Sequence, residues 1–72
     1  MRANKIEKFL IEKGLRYEKN YQSIDIYGYR GKYKVNIDWQ FGTYIVAKYL
    51  DYSYICEVDC RNQDRVISLL DY

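Results

Sequence analysis

Between Tyr33 and Phe41 the chain alternates without a break. Tyr33, Val35, Ile37, Trp39 and Phe41 are apolar, and Lys34, Asn36, Asp38 and Gln40 are polar. A side-chain period of two belongs to a β-strand with one buried face. A slip of one residue would turn every apolar side chain outward, so this stretch constrains the register of whatever pairs with it.

The flanking turns extend that constraint. Arg30-Gly31 predicts a two-residue turn with Gly at the second centre, where φ is positive. It pairs Tyr29 with Lys32, Ile26 with Val35 and Ile24 with Ile37, and brings Gly28 opposite Tyr33. Gln40-Phe41-Gly42 predicts a three-residue loop, so that Trp39 faces Thr43, Ile37 faces Ile45 and Val35 faces Ala47. A two-residue loop would put Lys48 on the apolar face and is set aside for that reason. A third turn at Asp51-Tyr52, lacking Gly, pairs Leu50 with Ser53, Tyr49 with Tyr54, Ala47 with Cys56 and Ile45 with Val58. The Tyr33–Phe41 strand thereby becomes central, with Trp39 at one end of the core.

Helical periodicity occupies both ends. Over residues 2–13, Ile6, Phe9 and Leu10 make one apolar stripe, and Asn4 is a candidate N-cap. Gly14 supplies a left-handed stop, followed by Leu15. From Asn62 to Asp71, Val66, Leu69 and Leu70 form an inward stripe with Ile67 on its flank, capped by Asn62 or Asp59. Leu15 to Tyr21 reads as a short, charged edge strand, a composition that discourages unwanted pairing. The expected fold is α+β and two-layered. An antiparallel meander of four strands, or of five if Leu15 to Tyr21 joins it, lies against an N-terminal and a C-terminal helix on one face. Residues 1–72 form a single small domain, too short for a second.

Function is less legible. Histidine is absent, and the four glycines are scattered rather than grouped into a phosphate loop. Cys56 and Cys60 lack the companions of a zinc site. Four residues apart on one strand they are about 13 Å apart, too far for a disulfide. Two buried thiols are expected, in keeping with a reducing cytoplasm. No signal peptide or membrane span is read, no cofactor is expected, and the chain is read as a non-enzyme.

The other sheet face is unusually aromatic. The register assigns to it Tyr27, Tyr29, Lys34, Asn36 and Tyr44, with Phe41 at a hairpin tip. Interfaces favour Tyr among mixed polar groups, so these six residues are the candidate protein-binding site. Net charge is +2, yet residues 1–34 carry nine basic and four acidic side chains, and residues 35–72 carry three and six. Such polarity would steer an oriented encounter with a protein partner. The residues with AT-rich codons (Phe, Tyr, Met, Ile, Asn, Lys) outnumber Gly, Ala, Arg and Pro by 32 to 11. That skew suits a phage- or mobile-element-encoded inhibitor of a host defence factor.

The alternative is a nucleic-acid- or nucleotide-binding domain, with Arg16, Lys19, Arg30, Lys32 and Lys34 gathered near the first hairpin and Tyr side chains interleaved. The helix–strands–helix order resembles the double-stranded-RNA-binding domain. That family opens its second helix with a basic cluster, whereas here the chain reads Asp59, Cys60, Arg61, Asn62, Gln63, Asp64, Arg65, and no family residue carries over. A third reading is a two-fold homodimer through the open face.

Overall fold

In the computed structural model, which describes residues 1–71, alternation and periodicity become seven elements. They are α1 (Asn4–Glu12), β1 (Arg16–Lys19), β2 (Ser23–Tyr29), β3 (Tyr33–Gln40), β4 (Thr43–Leu50), β5 (Ser53–Cys60) and α2 (Gln63–Leu70). The strands form one antiparallel sheet in sequence order. Ile6, Phe9 and Leu10 of α1 and Val66 and Leu70 of α2 pack with Ile24, Ile26, Val35 and Ile37 in a single core. The short fifth strand is real: β1 pairs with β2, placing Tyr17 opposite Ile26.

α1 ends as its sequence dictates. Gly14 has φ of 69°, its amide donates to the Ile11 carbonyl, and the Leu15 amide donates to that of Leu10. These are the paired bonds of a Schellman motif. Its start differs from expectation. The N-cap is Ala3, which has no side-chain acceptor, and Asn4 lies inside the helix. The acceptor comes from α2. Gln63 is buried, and its Oε1 accepts from the amides of Lys5 (2.8 Å) and Ile6 (3.1 Å) while its Nε2 donates to Asn4 Oδ1 (3.1 Å). α2 is capped by Asn62, whose Oδ1 accepts from the Arg65 amide at 2.9 Å.

The three hairpins decide which side chains face the helices. At the first, Arg30 and Gly31 have positive φ, and Ile24 and Ile26 face Ile37 and Val35 as expected. Tyr29, however, lies opposite Tyr33, and an irregularity between Ile26 and Tyr29 absorbs the difference. Gly28, at φ of 70°, sits there. A bulge of this kind re-aims the residues beyond it. Tyr27 stays on the open face, and Tyr29 turns to the helix side, where its hydroxyl donates to the Leu70 carbonyl at 2.8 Å.

At the second hairpin the expected three-residue loop is replaced by a two-residue turn. Phe41 and Gly42 have φ of 52° and 76°, and Gln40 pairs with Thr43. Two successive positive-φ residues match the twist of the flanking strands. The consequence is a slip of one along β4: Trp39 faces Tyr44, Ile37 faces Val46 and Val35 faces Lys48. Tyr44 is therefore buried rather than on the open face. Its hydroxyl donates to the Arg2 carbonyl, and its ring lies 4.6 Å from that of the half-buried Trp39. Ile45 and Ala47 take the open face instead.

The third turn forms as expected at Asp51-Tyr52, although both carry positive φ without being Gly. Leu50 faces Ser53 and Tyr49 faces Tyr54. A second irregularity then shifts the register, so that Lys48 faces Cys56, Val46 faces Val58 and Ile45 faces Asp59. This shift cancels the slip in β4. Cys56 and Val58 keep the helix side, and Glu57 and Asp59 keep the open face.

Candidate functional site

β5 is where the architecture leaves surface uncovered. Its eight residues are exposed except Cys60, and among the described residues no strand pairs with its outer edge. α2 follows directly on the end of β5 and covers it only there. Cys60 is buried, whereas Val58, two residues earlier on the same side, is 43% exposed. Cys56, still farther from α2, is exposed, which corrects the expectation of two buried thiols. Both thiols are free, and burial pushes the Cys60 thiol up in pKa, with Asp59 reinforcing and Arg65 opposing the effect. Tyr54 and Ile55 are also large exposed apolar groups.

The open face divides into two halves. On β1, β2 and β3, polar groups satisfy one another. Arg16 and Lys34 lie over the Tyr27 ring at 5.0 and 5.9 Å. The Tyr27 hydroxyl donates to Glu18 at 2.9 Å, and this bond to an anion is the main cause of its raised pKa. Asn36 donates to Asp25 at 2.8 Å, and Lys34 lies 3.9 Å from the same carboxylate. The half built on β4 and β5 is more apolar. Tyr49 and Tyr54 meet edge to face with centroids 5.9 Å apart, beside Ile45 and the acidic pair Glu57 and Asp59.

Of the six residues expected on the protein-binding face, Tyr27, Lys34 and Asn36 are there. Phe41 stands fully exposed at the second hairpin tip, while Tyr29 and Tyr44 are on the helix side. Tyr49 and Tyr54 supply the aromatic area in their place. The hydrogen-bonded register of β4 hid them, since a slip of one exchanges the two faces. The five cations of the nucleic-acid reading are dispersed. Arg16 and Lys34 share the open face. Lys19 is held 3.5 Å from Glu7 of α1 on the other side. Arg30 and Lys32 flank the first turn, over Tyr29 and Tyr33 respectively.

A cleft of about 520 Å³ opens on the helix side. Its floor includes Tyr33, Lys48 and Val58, one wall is α2 with Arg65, Ser68 and Leu69, and the other is the first hairpin with Tyr29 and Arg30. Among the described residues, no three Cys, Asp or Glu side chains group to hold a metal ion, and no helix is long and apolar enough to cross a membrane. A scan against protein-family models gives no match, and neither the curated proteins nor the solved structures give one.

Proposed function

We propose that the chain is a small, non-enzymatic protein-binding module that receives an extended segment of another protein along β5 and spreads onto the adjoining Tyr49–Tyr54 half of the open face. The observation that carries this reading is the exposed, unpaired length of β5, seven residues long before α2 shelters it. An exposed strand edge is a template for a further strand, with main-chain bonds giving affinity and alternate side chains giving specificity. Glu57 and Asp59 on the open face call for Lys or Arg at the facing positions of the partner. They also oppose pairing with a second copy, which would bring like charges together. The free thiols suit a cytoplasmic setting. The narrower role, a phage- or mobile-element-encoded inhibitor of a host defence factor, rests on small size and codon skew.

The test is affinity capture from the source cells with three baits. The wild-type chain and Arg16→Ser, altered on the opposite edge, should retain the same partner, and Tyr54→Ser combined with Ile55→Lys should lose it. Retention by the double variant would rule out β5 as the docking edge, and sedimentation across concentrations would reveal self-pairing.

One observation favours nucleic acid as a second reading: Arg16 and Lys34 bracket the Tyr27 ring, an arrangement suited to phosphates beside a stacked base. It expects a mobility shift with single-stranded RNA or DNA that weakens steeply with salt, and the absence of any shift at low salt would remove it.

A further inference from the structure

Lys48 occupies a position that the pattern of β4 gives to an apolar residue. Tyr44 and Val46 precede it on the helix side and are buried, and its strand is flanked by β3 and β5. Lys48 itself is half-buried at the border of a cleft, within reach of an anion that enters it. Its Nζ lies 4.7 Å from the Tyr33 centroid, which offers a ring face but no counter-charge. Among the described residues the salt bridges use Lys5, Lys13, Lys19 and Lys34, and none uses Lys48. None uses Arg30 or Arg65 either, and both line the same cleft. Three cations from three separate elements (the first hairpin, β4 and α2) thus border one concavity, with no carboxylate partner among the described residues. Asp59 also borders it, but its pairing with Ile45 puts it on the opposite face of the sheet.

The rest of the lining selects the class of anion. Tyr29 and Tyr33 line the cleft, with Arg30 over the first ring and Lys32 and Lys48 over the second, and Tyr29 is fixed by its bond to the Leu70 carbonyl. Ser68 adds a hydroxyl, and Val58 and Leu69 supply apolar floor and wall. The volume lies within the range usual for small-molecule sites. Arg and Lys together suit phosphate oxygens, Arg through its planar fork and Lys as a point charge.

We propose that this cleft binds a small phosphorylated ligand with a planar ring, of the mononucleotide class. Its phosphate is held by Lys48, Arg65 and Arg30, and its ring lies against the Tyr29–Tyr33 side. The site is separate from the open face and does not rest on the protein-binding reading.

The test is a two-dimensional amide NMR titration of the full chain with each nucleoside 5′-monophosphate, the matching nucleosides and inorganic phosphate. Saturable shifts are expected at Tyr29, Tyr33, Lys48, Arg65 and Ser68, with tighter binding of at least one nucleotide than of phosphate or nucleoside alone. Lys48→Met and Arg65→Gln should each weaken it about ten-fold or more, the loss of one charge-assisted bond. Lys48→Arg should retain binding, and Tyr54→Ser on the open face should leave it unchanged. Lys48→Met removes a buried-side charge, so its folding is expected to be intact, and the same spectra report it. No saturable shift with any nucleotide would overturn the proposal. So would equal affinity for phosphate alone, or unchanged binding by a folded Lys48→Met chain.

Discussion

The two edges of the sheet are treated differently by the same chain. β1 is four residues long, carries three charged side chains beside Tyr17, and is tied to α1. Tyr17 donates to Glu7 at 3.0 Å, and Lys19 lies 3.5 Å from the same carboxylate. β5 is twice as long, carries Tyr54, Ile55 and Val58 into solvent, and receives helix cover only at Cys60. Shortness, charge and a covering helix are the devices that blunt a strand edge; β1 has all three, and β5 has only the acidic pair Glu57 and Asp59. A long, exposed edge opposite a short, guarded one is the asymmetry on which the proposed docking along β5 rests.

Several measurements can break or sharpen this contrast. The largest effect is expected at Ile26, opposite Tyr17 of β1 and fully buried. Ile26→Ala should cost about 2–5 kcal/mol in urea denaturation, whereas Val58→Ala on β5 should cost under about 1 kcal/mol. Equal costs would mean that β5 is as well covered as β2, the strand beside β1.

Next is Gln63→Leu, which strips the acceptor from two α1 amides and should cost about 2 kcal/mol. Its effect should appear as faster amide exchange at Lys5 and Ile6, with α2 itself unchanged.

Glu7→Gln removes the anion that holds β1 and should cost under about 1 kcal/mol, as surface pairs do, with exchange rising in β1 and not in β5. Glu7 is also the main cause of the raised Tyr17 pKa, so the substitution should lower it, as read by phenolate absorbance. The sign follows from linkage. Tyr17 and Tyr44 have folded pKa values above the ordinary 10.0, Tyr44 because burial disfavours its phenolate. Their contribution is complete below the unfolded value and is lost as pH rises through the folded one. Stability should therefore fall above about pH 10, and Tyr44→Phe should flatten that fall. An unchanged alkaline limb would detach Tyr44 from it.

Much of the fold was legible because separate signals agreed. Ile24, Ile26, Val35 and Ile37 meet in the expected register, and Gly14 ends α1 as its left-handed preference requires. The faces of β4 differ from expectation for one reason. Keeping Lys48 off the helix side favours a three-residue loop, whereas the chain turns in two residues at Phe41-Gly42. Local turn chemistry, with two positive-φ residues matched to sheet twist, overrode the polarity of one side chain. The bulges near Gly28 and Ile55 leave little trace in sequence, since each inserts one residue without changing composition. The first took Tyr29 away from the open face. The second rescued the expected faces of Cys56, Val58, Glu57 and Asp59 after the slip. Gln63 gave no signal either, because a cap supplied from the far end of the chain depends on tertiary placement alone.

That cap has a consequence for the order in which the molecule can be completed. Residues 5 and 63 are separated by 58 positions, so α1 emerges well before its cap during synthesis and waits with its leading amides open to water. Closing them requires the whole sheet to be laid down and α2 to turn back across it. α1 is therefore finished by a residue made long after it, and a chain interrupted before Gln63 would leave α1 uncapped as well as α2 unmade.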